Sequence, residues 1–455
     1  MHYPLWDMPL LGGALVIAGI SIFHVIIAHF AVGAGFFNVF SEIRARRQND
    51  QALLQFVKDN SIFVIYLSFV AGAVLGVGIW FSISIVAPEA TTFLIRLFLW
   101  IWASEYVFFI LELVAGYVYY YTWDKISARA HILVGWIYAI SAFGSLVLIN
   151  GILAFMLTPG KWLQTGNVWD AWLNPSFLPS TLIRTVSSLA LAGIFAAIVA
   201  SSRRKKYNAD QRAGIVAWGT RFLLPLALMP VLAYWYFSVV PQNARELALG
   251  GTVAMTFIFL FGVIASFLVA LYVFFGMLRK PRDMNVETAL LLLAIAVIAT
   301  GSMEFVREGI RKPFVLVNVM YSSGILLKDV PVIQENGVLA SSTWLTPDTV
   351  KYQGSVAVGE AVYRAECIRC HEVEGYNGMV PLIREWNRNL IVSALNHLDR
   401  IRNFMPPFIG TEAEKQALAD YLMTLTRKGV MSSDTLQTSA PADTSWQALP
   451  EGGVQ

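Results

Sequence analysis

Eight long apolar runs constrain this chain more than any other feature. Crossing about 30 Å of hydrocarbon as a helix takes roughly 20 apolar residues. Runs long enough lie at about 12–40, 61–87, 92–121, 131–157, 179–201, 214–240, 248–278 and 286–306 of the 455 residues. The expected fold class is therefore all-α: a polytopic membrane helical bundle of about eight spans. Composition agrees, since 14% of residues are charged and 56% hydrophobic, against roughly 25% charge in an average soluble protein. That excludes a disordered chain, a nucleic-acid binder and an ordinary cytosolic enzyme. The first run reads as a span rather than a cleaved leader. No basic segment precedes it, it is too long, and seven more follow.

The loops between runs alternate in charge. One set carries Arg44, Arg46, Arg47 and Lys58, then Lys125 and Arg129, then Arg203, Arg204, Lys205, Lys206 and Arg212, then Arg279, Lys280 and Arg282. The other set holds little beyond Lys161 and Arg245. Positively charged loops stay in the cytoplasm, so the N-terminus is expected outside. Eight spans bring the chain back to that side. Arg307, Arg311 and Lys312 then sit on the outer side against the rule, which marks them for an internal role.

Composition changes after about residue 340. Residues 1–325 are expected to form the bundle, 326–346 a linker, 347–430 a small all-α soluble domain, and the Ser/Thr/Pro-rich stretch 431–455 a disordered tail. Helical patterns appear at 347–366 and from Thr411, where Thr411 and Glu414 fit a capping box. The only two cysteines, Cys367 and Cys370, are followed by His371. This is the attachment signature of a c-type haem. The thiols add to the two vinyl groups, and His371 becomes the proximal iron ligand. A structural zinc site would need two more ligands, and His397 is the only other histidine nearby. For the distal ligand Met405, a soft thioether on the Pro-stiffened Phe404-Met405-Pro406-Pro407 loop, is preferred to Met379, because it follows His371 by a whole intervening segment and precedes the final helix. The region resembles a class I cytochrome c domain over about residues 347–428. Covalent haem attachment takes place outside the bacterial cytoplasm, where the charge pattern also puts this domain. The expected location is the bacterial inner membrane, with N-terminus and cytochrome domain periplasmic.

Ionisable residues within spans are costly and by default functional. They are His24 and His29 in the first run, Glu105 and Glu112 in the third, His131 at the start of the fourth, and Glu304, Arg307 and Glu308 at the end of the eighth. His24 and His29 are about 140° apart around a helix and cannot face one iron together. Glu105 and Glu112 share a face about 10 Å apart, which suits a proton path or one carboxylate per metal centre. Glu304 and Glu308 also share a face, and pairing with Arg307 or Arg311 is the plain structural alternative.

Three segments resemble cytochrome bd oxidase subunit I over about residues 10–320. Ser21-Ile22-Phe23-His24 is similar to its first helix. Glu112, Trp123-Asp124-Lys125 and His131 match its third and fourth helices. Arg307-Glu308-Gly309-Ile310-Arg311-Lys312-Pro313-Phe314 is similar to its Glu-x-Gly-Arg-x-Pro-Trp segment with one residue inserted. The resemblance implies that His24 is an axial ligand of an oxygen-reducing haem pair and that Glu112 lies at the active site. It implies that Glu308 ligates a high-spin haem b beside Arg311, and that the membrane haems are of b and/or d type. A second membrane subunit is the implied partner, and Trp100, Trp102, Phe108 and Phe109 are candidate contacts for it. A c-type cytochrome, quinone and lipid complete the implied partners. Four departures stand out. The second family carboxylate falls at Ser104, with Glu105 beside it. Span 5 holds Arg184 but no histidine, leaving Met255 as a low-spin ligand without its partner. The long quinol loop between spans 6 and 7 is reduced to about Pro241–Glu246. A cytochrome c domain replaces the ninth span.

Two functions follow. In the first, the c haem takes electrons from a soluble donor and hands them to membrane haems at His24, Glu112 and Glu308. Oxygen is reduced there, with protons carried by Glu105 and Glu304. In the second, the chain is a non-oxidase module that oxidises quinol, or relays its electrons, to a c-type cytochrome in a larger complex.

Overall fold

The computed structural model describes residues 3, 4, 6, 8, 10–312, 314–345, 354–375, 377–402 and 404–426. Pro313, Tyr376, Asn403, the start of the helix expected at 347 and the tail expected at 431–455 lie outside them. Eight helices are long and apolar enough to cross a membrane. Spans 1 to 8 run Gly12–Gln48, Gln51–Val86, Leu99–Tyr121, Ala128–Phe155, Phe177–Ser202, Ala209–Val239, Val253–Met277 and Val286–Gly309. Each overlaps one apolar run of the sequence, because length and hydropathy alone define a span. Several extend beyond the runs: span 2 starts at Gln51, and span 1 continues through Glu42 and Arg46 to Gln48.

Span 5 is the most buried of the eight. Its middle reads Ala190, Ala192, Gly193, Ala196, Ala197 and Ala200, all buried. Lipid gives little drive for helices to associate, so close backbone approach between small residues does the work. Gly33 of span 1 has no room for a Cβ against the Ser188 carbonyl, and Gly193 has none against Leu223 of span 6. The spans are not α-helical throughout, and span 7 ends in a π-helical segment at Val273–Met277. Span 2 carries a π-helical segment at Ile65–Ala71, and span 6 tightens to 3₁₀ geometry at Arg221–Leu228. Pro225 explains the 3₁₀ stretch, since it lacks the N–H that an α-helix requires there. Beyond the spans the bundle carries one two-stranded hairpin, Met320–Ser322 with Ile325–Leu326.

The chain divides into two compact units, 13–329 with 2–6, and 330–455 with residue 1 and 7–12. The linker expected at 326–346 is more folded than its composition suggested. It holds a helix at Val330–Asn336, and the Glu414 carboxylate accepts the N–H groups of Val338 and Leu339 at 3.0 and 2.9 Å. In this second unit helices Gly354–Glu366 and Glu412–Thr424 cross tightly. Gly359 allows it, because a Cβ would strike the Ala417 carbonyl. Val362, Tyr363, Ile383, Ile391, Leu418 and Leu422 form the core. The Thr411–Glu414 capping box forms as expected.

Candidate functional site

In the C-terminal unit the helix ending at Glu366 delivers the cysteines in one tight turn. The N–H groups of Cys370 and His371 both donate to the Cys367 carbonyl, at 3.0 and 2.8 Å. Neither cysteine is in a disulfide. The His371 Nδ1–H donates to the Asn377 carbonyl at 3.1 Å, and the Asn377 amide returns a bond to the Cys370 carbonyl at 2.6 Å. This fixes the tautomer and leaves Nε2 with its lone pair, as a metal-bound histidine needs. Burial holds the imidazole below its ordinary pKa, only partly opposed by the Asn377 carbonyl. Two reduced thiols and an oriented neutral imidazole fit a covalent haem. The Met379 N–H donates to the carbonyl of Glu372, the residue after His371, at 2.7 Å. That ties Met379 to the proximal strand of the loop. Met405 sits in a separate loop, half-buried, with its N–H on the Arg402 carbonyl at 2.9 Å.

Within the bundle the loops rich in Arg and Lys define a basic end. Polar groups near the opposite end form one cluster. Glu304 of span 8 bridges Arg184 of span 5 at 2.9 Å and Arg307 at 2.7 Å. An Arg184 N–H also donates to His29 Nε2 at 3.3 Å. His29 therefore carries its proton on Nδ1, which is buried and has no partner. As placed, it offers no nitrogen to iron. Glu308 pairs with Arg311, and another Arg311 N–H donates to the Met156 sulfur at 2.8 Å. The paired alternative for both carboxylates is what the structure adopts. His24 differs. Its Nδ1 is buried without a partner. A Cβ on Gly76 of span 2 would touch its ring at 3.3 Å, and Gly72 meets Ile27 likewise at 3.2 Å. Gly72 and Gly76, after a π-helical segment, thus let span 2 approach Ile27 and the His24 ring closely, and an imidazole with one uncommitted nitrogen fits a haem ligand.

Spans 3 and 4 carry matched polar ladders at seven-residue spacing. Glu105, Glu112 and Tyr119 descend one helix, while Ser145, Tyr138 and His131 descend the other. Ser145 donates to Glu105 at 2.6 Å. Glu112 is buried and receives no hydrogen bond among the described residues. At the basic end the ladder closes on Glu42 of span 1. Tyr119 donates to it at 2.8 Å and Arg46 at 2.7 Å, and His131 Nδ1 lies 2.9 Å away. His131 Nε2 faces the Tyr119 carbonyl at 2.9 Å. Both imidazole nitrogens are taken, so His131 is a packing and hydrogen-bonding residue.

Ser104 is exposed and bonds back to the Trp100 carbonyl at 2.8 Å, while the neighbouring Glu105 reaches Ser145. Met255 packs onto Gly309, next to Glu308, with no room for a Cβ between them. Of the candidate partner contacts, Trp102 stacks on Trp80 at 4.8 Å and Phe108 on Gly144 within the chain, whereas Trp100 is exposed. Sequence reasoning missed Glu42 because span 1 was drawn too short. The unbroken helical pattern through Ser41-Glu42-Ile43 was the available signal.

Residues 15–237 match the family model "Cytochrome bd terminal oxidase subunit I", and residues 354–422 match "Cytochrome C oxidase, cbb3-type, subunit III". No curated protein matches by sequence. Among solved structures, the bd oxidase from Geobacillus thermodenitrificans is similar, with a TM-score of 0.55 and 15% identity over 68% of this chain and 89% of that one. At that identity the likeness establishes the fold. The chain joins a cytochrome bd subunit I-like membrane core to a C-terminal cytochrome c domain, a pairing that implies haem, including covalent haem c.

Proposed function

We propose that this membrane haem electron-transfer protein is an oxidoreductase that accepts electrons at its c haem and passes them to bundle haems for oxygen reduction. The observation carrying the reading is His24: a half-buried imidazole whose Nδ1 is buried and has no hydrogen-bond partner. Cys367 and Cys370 would anchor the c haem, with His371 and Met405 as axial ligands. His24, and Glu308 oriented by Arg311, would hold iron in the bundle. Bound there, haem supplies one-electron transfer and a site for oxygen. The chain's own contribution is protons and charge. Glu42 gathers protons at the basic, cytoplasmic end. Tyr119, Tyr138 and Glu112 lead from it to Glu105, and Ser145 holds Glu105 at the level where protons are consumed. Rungs seven residues apart are about 10 Å apart, so water has to bridge them. Span 5 holds no histidine and its Arg184 is committed to Glu304 and His29, which favours the c haem over quinol as the electron port. A second membrane subunit is the expected partner, with Trp100 on the exposed face of span 3.

The non-oxidase reading draws on one observation: Glu308 is held by Arg311, and a carboxylate kept there leaves iron to other ligands. A dithionite-reduced spectrum with and without carbon monoxide separates the two. A shift in b or d bands means an open iron and supports oxygen reduction. An unshifted spectrum means six-coordinate irons and an electron relay, and the oxidase reading falls. His24→Ala should remove a membrane haem and leave the c haem intact, measured as haem-to-protein ratios.

A further inference from the structure

We propose that Arg44 and Arg221, at the basic end of the bundle, hold the headgroup of an anionic phospholipid. Arg221 lies inside span 6, on an outward stripe with Gly214, Ala217, Leu224 and Leu228, all of them exposed. Its neighbours along that stripe are lipid-facing, so its charge starts at the edge of hydrocarbon. A charge there is costly unless it is paired or reaches the interface. The other arginines deep in spans follow this rule: Arg184 and Arg307 share Glu304, and Arg311 has Glu308. Arg44 and Arg221 have no carboxylate partner among the described residues.

Instead both guanidinium groups lie over one ring. They stand 4.6 and 5.4 Å from the centroid of Trp218. The indole N–H donates to the Ser41 hydroxyl at 2.8 Å, which fixes that ring between spans 1 and 6. Cation–π contact lowers the cost of two such charges but leaves them uncancelled. Both therefore stand beside the same indole without a carboxylate partner among the described residues. One turn from Trp218 along span 6 the surface is open, since nothing lies within 4 Å of where a Cβ on Gly214 would stand. An apolar wall adjoins, with Phe40 exposed and packed on Trp136 at 5.3 Å and Phe222 at 6.4 Å. Two unpaired cations beside a lipid-facing aromatic wall match one phosphate on an acyl chain.

Full-length protein in neutral detergent would be titrated with phosphatidylglycerol, phosphatidylcholine and inorganic phosphate, reading the thermal unfolding midpoint. Phosphatidylglycerol alone should raise it. Half-saturation should weaken about fivefold in Arg221→Gln and about thirtyfold in the Arg44→Gln/Arg221→Gln pair, from the ordinary worth of a basic residue at an anionic surface. The Lys/Lys pair should keep the response. An equal response to phosphatidylcholine or to phosphate overturns the proposal. So does an unchanged curve in the double variant, or an equal loss in Arg47→Gln, a surface charge at the same end. If the double variant does not fold, Arg221→Gln decides alone, with retained phosphatidylglycerol counted by native mass spectrometry.

Discussion

The bundle holds two histidine–carboxylate clusters, and they are built on opposite terms. At the basic end Glu42 is fully buried and ringed by Arg46, Tyr119 and His131, and both His131 nitrogens face acceptors. Toward the opposite end three arginines face two glutamates, and His24 Nδ1, His29 Nδ1 and Arg311 Nε are buried without partners. Buried polar groups are normally satisfied. The groups of the first cluster are satisfied within the chain, while the second leaves three buried nitrogens without a hydrogen-bond partner. A membrane histidine is thus read by what its second nitrogen touches, not by its presence in a span.

Substitutions can break that contrast. Glu304→Gln should have the largest effect, because it leaves Arg184 and Arg307 buried without their shared carboxylate. Loss of one partner of a buried pair costs about 3–5 kcal/mol, read as folded yield and thermal midpoint. Glu42→Gln should cost about 1.5–3 kcal/mol with haem content unchanged. Loss of a membrane haem in Glu42→Gln would show that the basic-end cluster also shapes a haem site.

Two smaller tests address the C-terminal unit. Burial, reinforced by the Glu414 carboxylate, pushes the Glu366 carboxyl up to about 8. The folded unit then keeps a proton that the unfolded chain has released. Its stability should fall as pH rises from the ordinary carboxylate range toward about 8, and then level off. Glu366→Gln should flatten that slope in pH-dependent unfolding. Asn377 has a φ of +57°. Asn377→Ala should cost about 1–2 kcal/mol, and Asn377→Gly should recover part of it. Full stability in the alanine variant would mean the turn does not constrain His371.

How much was legible in advance follows from the range of each interaction. The eight spans, the all-α class and the haem-attachment turn were readable because each is local. A span is a length of apolar chain, and Cys367, Cys370 and His371 occupy five consecutive residues. The resemblance to a bd-type core was readable for the same reason, from short segments in order. What histidines and carboxylates do was not readable. His131 meets Glu42 across 89 positions, and Arg184 meets His29 across 155. Ser104 and Glu105 are adjacent in sequence, yet only packing decides which one faces Ser145. The sequence by itself determined that this chain crosses a membrane and carries a haem-attachment turn, since hydropathy and covalent spacing act within a segment. Tertiary structure alone decided which buried nitrogen is free and which charges stay unpaired, because those depend on groups that only helix packing brings within 3 Å or so of each other.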